Sequence, residues 1–413
     1  MDEVKTVPVS ARAAARNRRL PLPDRSVGSD IIKNRVLFAL VILLFLAAGG
    51  LAFLSHAPNR LISGKGIALY TLLNGLGALL LIPALLLLVL SFLQPNRRNL
   101  LMTLLMAELL LLGVTALAGQ TAVALSGGED SLTRTSLGGG FWACVALSQL
   151  IAADAISRLT QNHSWRLLLN VQVCLPVVLL LVTGQLNELS LMKEYYNRED
   201  VFNNALWQHL GILFGTLIPA ILIGLPIGLF CYRSPRFQTS IFSTLNIIQT
   251  IPSIAMFGLL LAPLAGLASA VPWLADHGIS GIGVAPAIIA LVLYSLLPLV
   301  RSVVAGMQSV PENVLESARG MGMTKVQVFA RVQIPIALPV ILSGIRIISV
   351  QTVGMAVVAA LIGAGGFGAI MFQGLLSSAL DLVLLGVIPV VVMAVVVDGL
   401  FKFIVSLMEV SRR

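Results

Sequence analysis

The feature that most constrains this chain is a series of apolar runs, each long enough to cross a lipid bilayer. A crossing helix needs roughly 20 mainly apolar residues, because inside the hydrocarbon layer every backbone N–H and C=O must be satisfied internally. Runs of that kind fall at about 36–55, 67–93, 100–118, 138–157, 167–186, 205–230, 241–265, 284–304, 337–364 and 381–404. They predict an all-α polytopic membrane protein with about ten transmembrane helices. Hydrophobic residues make up 57% of the 413 residues and charged ones only 11%, a balance that belongs to membrane proteins.

The net charge of +9 would fit a nucleic-acid partner only if bases were interleaved with aromatics. Here they are parcelled between apolar runs and are read as a topology signal, with no nucleic acid implied. Placing residues 1–35, rich in Arg, Pro and Ser, in the cytoplasm puts all 27 Lys and Arg there except Arg60, Lys65, Arg134, Lys193 and Arg198. Both ends are therefore expected inside. The basic tail is expected to be mobile, in reach of anionic lipid headgroups, and no cleavable signal is evident. Cys144, Cys174 and Cys231 are widely spaced, have no metal or pairing pattern and are read as small core residues. His56, His163, His209 and His277 are equally scattered. No metal site or site of covalent chemistry is expected.

The chain divides near residue 200. The first five spans are simple and Leu-rich, whereas the last five carry Pro, Gly, Gln and Ser within the bilayer. The intervening stretch mixes acids, bases and aromatics and is expected at the external interface, with Tyr195, Tyr196 and Trp207 as headgroup anchors. The expected organisation is a tail over 1–35, a five-span region over 36–200 and a second region over 201–413. Among the membrane carboxylates, Asp154 with Arg158 and Asp398 with Lys402 have i,i+4 spacing and are read as structural pairs. Glu108 has no local base and is a candidate for a protonated, interhelical hydrogen bond.

One polar island interrupts the second region, PENVLESARGMGMTKVQVFARVQIPIALP over 311–339. Pro311 suits a first helical position, and Glu312 complements the positive end of the helix dipole. Leu315 and Ala318 share one face. Gly320 and Gly322 supply a stop and a left-handed turn. Thr324 and Gln327 have capping-box spacing for a second helix, which Pro335 is expected to end.

Glu316-Ser317-Ala318, Arg319, Gly322 and the trailing Val332-Gln333-Ile334-Pro335 resemble the cytoplasmic coupling loop of ABC importer permeases, with Ser317 at a position where that family carries alanine. The resemblance implies a loop within 305–339 that docks on a separate ATP-hydrolysing subunit, and a five-helix core of the type I importer permeases. Three further stretches resemble permeases that import glycine betaine, proline betaine, choline and carnitine: Gln249-Thr250-Ile251-Pro252-Ser253, LYSLLPLVRSVVAGMQSVP and GAGGFGAIMFQGL. It further implies a homo- or heterodimer of permeases in the bacterial inner membrane, two cytoplasmic ATP-binding subunits and an external substrate-binding protein.

Polar groups in a bilayer line a wet path or bond to a neighbouring helix. On that ground Asn246, Gln249, Thr250, Pro252, Ser253, Tyr294, Ser295, Gln351 and Thr352 are candidates for the substrate pathway. Gly363, Gly365, Gly366 and Gly368 permit a sharp turn or a close helix approach on the external side. No G-x-x-x-x-G-K-[ST] occurs in the chain, so ATP and Mg are expected on the partner, with no cofactor bound here and no enzymatic activity of its own. A quaternary ammonium is selected through aromatic faces, and none forms an evident cage here, so tight selection is assigned to the binding protein. A permease for methionine or another amino acid, a proton-coupled secondary transporter working through Glu108 or Asp154, and a sensory or scaffolding membrane protein are the alternative readings.

Overall fold

The computed structural model describes residues 31–59, 62, 64–127 and 132–410. Most of the expected basic tail, and Arg412 and Arg413, therefore lie outside the described residues. The first region begins with α1 (Arg35–Gly50), β1 (Ala52–Ala57) and β2 (Lys65–Ala68), then α2 (Leu81–Phe92) and α3 (Arg97–Leu125). It continues with β3 (Arg134–Leu137), α4 (Gly139–Leu159), α5 (His163–Val182) and α6 (Ser190–Tyr196). The second region holds α7 (Glu199–Arg233), α8 (Pro235–Thr250), α9 (Ser253–Ala270) and α10 (Val284–Gln308). It ends with α11 (Glu312–Gly320), α12 (Lys325–Val328), α13 (Ile334–Ala359), α14 (Phe367–Leu376) and α15 (Leu380–Val410).

Among the described residues nine helices are long and apolar enough to cross a membrane. The expected span at 36–55 departs from expectation. It is helical for only 16 residues, because Gly49 and Gly50 weaken the helix end and Ala52–Ala57 pairs instead with β2 and β3. These strands form an antiparallel sheet in the order β2-β1-β3, an element the apolar runs did not disclose. The expected span at 67–93 likewise begins as strand and short turns, with a crossing segment at Gly75–Phe92. The expected span at 241–265 is divided into α8 and α9, because Ile251 and Pro252 take extended backbone angles.

Connectivity gives the molecule two ends. The 311–339 stretch lies at one, where Gln333 Nε2 donates to Tyr232 Oη over 3.3 Å and the Arg233 guanidinium sits 4.9 Å from the Phe329 ring centre. The sheet lies at the other, where Ser136 Oγ donates to an Asp381 carboxylate oxygen over 2.6 Å at the start of α15. The two i,i+4 pairs form, and Glu108 bonds to a neighbouring helix. Asp154 meets Arg158 at 3.0 Å, and Asp398 meets Lys402 at 2.6 Å and also Arg346 at 3.5 Å. Glu108 accepts from Gln172 Nε2 at 3.0 Å, joining α3 to α5. Cys144 and Cys231 are buried, but Cys174 is exposed rather than in a core. Trp207 and Tyr196 are exposed, as interfacial anchors would be, whereas Tyr195 packs on Phe202 at 5.1 Å.

In the second region α7, α10 and α13 pack on one another, and α10 is the most enclosed of the crossing helices. Small residues allow the approach. A methyl group at Gly228 would fall 2.5 Å from Val303 Cβ, and one at Gly224 would fall 2.6 Å from Leu299 Cδ2. Overpacking of this kind costs about 1–3 kcal/mol. Gly228→Leu is therefore expected to lower the thermal midpoint in detergent, while Gly211→Leu, on the same helix where nothing lies within 4 Å, leaves it unchanged. Equal midpoints for the two variants would contradict this packing.

Candidate coupling and translocation sites

The polar island folds as a helix, a left-handed turn and a second helix. Pro311 stands immediately before α11, and Leu315 and Ala318 are buried against Met307, Val328 and Ala337. Ala318 is thus an inward anchor, and the outward face is carried by Glu316, Ser317, Arg319 and Gly322, all exposed. Ser317 Oγ donates to Asn313 O at 2.8 Å, so its hydroxyl is satisfied within its own helix and the surface it offers is little larger than alanine's. Arg319 pairs with Glu312 at 3.2 Å. Glu316 has no ion-pair partner among the described residues.

Gly322 has φ +82°. Its N–H bonds Arg319 O at 2.9 Å and the Met323 N–H bonds Ala318 O at 3.3 Å, the pair of bonds that closes a helix through a left-handed residue. Both bonds of the capping box between Thr324 and Gln327 are present. Pro335 does not end the second helix. Phe329–Gln333 widen into a π-turn, which moves a carbonyl away from the proline ring, and Pro335 sits in the first turn of α13. The helix therefore runs from the turn directly into the membrane. Met321 and Val326, at 76% and 75% exposure, flank the turn as an apolar rim that the motif-based reading missed.

The expected pathway residues fall into two groups. Around the break between α8 and α9, Asn246 Oδ1 accepts from Arg301 at 2.8 Å and Gln249 Nε2 donates to Tyr294 O at 3.0 Å. Tyr294 Oη donates to Ile251 O. These groups lash the break to α10, with Thr250 and Pro252 exposed and Ser253 half-buried beside it. On α13, Thr352 is buried and bonds its own helix at Ile348 O, and Gln351 contacts the Met355 sulfur at 3.4 Å. Ser295, on α10, is buried and bonds Leu291 O. The structure does not bring the α8–α9 group and the α13 group into a direct hydrogen bond.

The glycines supply both a turn and a close approach. Gly363, Gly365 and Gly366 have positive φ, and Gly368 lies against Val357 O, where a side chain has no room. Two residues that the sequence reading passed over hold this loop. Gln208 Oε1 accepts from the Gly366 N–H at 2.8 Å, and His209 Nε2 bonds Val353 O at 3.1 Å. A carbonyl only accepts, so Nε2 carries the proton. Phe367, fully buried, packs at a tilt against Phe202 at 5.2 Å and His209 at 5.6 Å. A histidine inside an apolar run was the available signal.

Comparison with known proteins matches residues 33–192 to the family described as ABC transporter permease YehY, N-terminal domain. Residues 220–410 match the family described as binding-protein-dependent transport system inner membrane component. The chain is 40% identical over 192 residues to the carnitine transport permease protein OpuCB of Listeria monocytogenes, covering 46% of this chain and 81% of that one. It is 39% identical over 194 residues to the osmoprotectant import permease protein OsmW of Salmonella typhimurium, covering 47% and 85%. A chain of the inward-facing MetNI methionine ABC transporter aligns at 22% identity and TM-score 0.45, covering 50% of this chain and 96% of that one. With relatives this similar matched over most of their length, the chain belongs to the inner-membrane permease family of binding-protein-dependent transport systems.

Proposed function

We propose that this chain is the transmembrane subunit of an ATP-driven importer for a quaternary ammonium osmoprotectant such as glycine betaine, carnitine or choline. The relatives that carry the substrate class are named for carnitine, osmoprotectant and choline transport. The observation that supports the mechanism is the exposed turn of α11 and α12, anchored from beneath by Leu315, Ala318 and Val328 and continuous with a membrane helix. A closure of the ATP-binding partner around Glu316, Ser317, Arg319 and Gly322 would move α13 as a lever. Two permease subunits would enclose the path, an external protein would deliver and select the substrate, and ATP with Mg would be held by the cytoplasmic partners. The ligand alone cannot drive accumulation, since it shifts a conformational equilibrium only by its differential affinity for the two states.

The test is ATP-dependent uptake of labelled glycine betaine by vesicles holding this chain with its co-purifying ATPase and binding protein. Uptake is expected to require ATP and to fall at least tenfold in Glu316→Lys, which reverses the charge offered to the partner. Uptake that persists with ATP depleted and a proton gradient maintained would refute the ATP-driven reading. ATP hydrolysis stimulated by a different solute would replace the substrate alone.

A further inference from the structure

At the seam between the two regions, on the side of the sheet, lies a cavity of about 540 Å³. Its walls come from α3, α4, α5 and α6 on one side and from α7 and α15 on the other, and they are almost wholly hydrocarbon and aromatic. Along α4 the lining runs from Phe141 to Gln149, and along α5 from Leu181 to Cys174. At about 1.5 Å per residue these stretches are on the order of 10–12 Å deep. A single leaflet contributes about half of the roughly 30 Å hydrocarbon core. The cavity is thus nearly as deep as one leaflet's share of the hydrocarbon core.

Its polar groups differ between the two ends. At the deep end Gln149 Nε2 points to the Cys174 sulfur at 3.8 Å. At the outer end the Trp142 indole N–H is buried and has no hydrogen-bond partner. Its nitrogen has essentially no accessible surface and is walled off from the space. On the flank the wall is open to the bilayer, since Val178 is 49% and Leu181 38% exposed. No carboxylate lines the space, which disfavours a cationic guest despite the aromatic walls. The nearby Glu194 is engaged by Arg198 at 3.6 Å.

We propose that this cavity is a lipid site, occupied by one acyl chain of an outer-leaflet phospholipid packed along its hydrocarbon and aromatic walls. An acyl chain supplies what the lining asks for, methylene groups along hydrophobic walls that open sideways to the bilayer. The lipid would complete a seam that the protein closes with few polar ties. These include Ser136 to Asp381 and Arg198 to Gln373, the latter at 3.1 Å. It is a binding site distinct from the substrate path, and it makes the outer-leaflet lipid a part of the join between the two regions.

The experiment compares full-length chains purified in one mild detergent and analysed by native mass spectrometry with phospholipid quantification. The wild-type chain is expected to retain a phospholipid that Val145→Trp, which fills the cavity, has lost. Leu179→Trp, on the face of α5 that is 63% exposed, is expected to retain it. Equal retention by wild type and Val145→Trp overturns the site, and so does loss from Leu179→Trp. A dimer that dissociates in Val145→Trp with lipid unchanged also overturns it, in favour of a second copy in the seam. Should Val145→Trp not fold, quenching by brominated phospholipids in nanodiscs decides. Trp142, obtained as the difference from Trp142→Phe, is expected to stay quenched at dilutions of brominated lipid that release the exposed Trp207, and parallel release refutes the site.

Discussion

Gly322→Val is expected to reduce ATP-driven uptake by about tenfold to a hundredfold while leaving the chain inserted in the membrane. At φ +82° the position lies where only glycine is at ease, and nothing stands within 4 Å of the point a Cβ would occupy, so the cost is conformational rather than steric crowding. A non-glycine residue there costs about 1–3 kcal/mol, and a β-branched one is worst. That energy is drawn from a surface turn held by the bonds from Gly322 to Arg319 and from Met323 to Ala318. The helices on either side are anchored by Leu315, Ala318 and Val328, which keeps the damage local. The exposed set Glu316, Ser317, Met321 and Val326 would then lose its fixed spacing. Since asparagine tolerates the left-handed region better than alanine or valine, uptake should follow the order Gly, Asn, Ala, Val. A valine variant that couples as well as wild type would show that the partner does not read this turn.

What was legible in the sequence was what is local. The capping box at Thr324 and Gln327, the left-handed Gly322 and the buried pair Leu315 and Ala318 are all set by neighbours within a few residues, and each formed as spacing required. Crossing helices were legible because a bilayer permits little else. Where the apolar runs misled, two solutions were locally acceptable. Ala52, Phe53 and Leu54 continue the apolar run of the helix before them, and only pairing with Lys65–Ala68 and Arg134–Leu137 makes Ala52–Ala57 a strand. Pro335 reads as a stop in isolation, but the π-turn ahead of it removes the clash. Gln208 and His209 were missed because their partners, Gly366 and Val353, are separated from them by 158 and 144 positions. No local spacing encodes such contacts.

Those two residues lead to the other large effect, at the opposite end of α13 from the turn at Gly322. Gly366→Val is expected to abolish uptake, by tenfold or more, while the assembled complex still hydrolyses ATP. Gly366 has φ 73° and ψ −171°, a region open essentially to glycine alone. A methyl group there would press on His209 Nδ1 at 3.1 Å and on the His209 backbone at 3.5 Å. His209 is fully buried, bonded to Val353 O and packed against Phe367, so it cannot yield without releasing α7 from α13. Strain and crowding therefore act together, and the loop after α13 is expected to leave its seat on α7. A milder change tests the same hold without the overpacking: Gln208→Leu leaves the Gly366 N–H without its acceptor, which costs about 1–3 kcal/mol. It is expected to lower uptake severalfold with hydrolysis intact. The ratio of substrate carried to ATP consumed is the deciding quantity. If both activities fall together, as for a chain that no longer meets its ATPase, or if Gln208→Leu transports at the wild-type rate, the loop is a passive connection. If only the ratio falls, this end of α7 and the glycine loop form one moving unit whose closure makes hydrolysis productive.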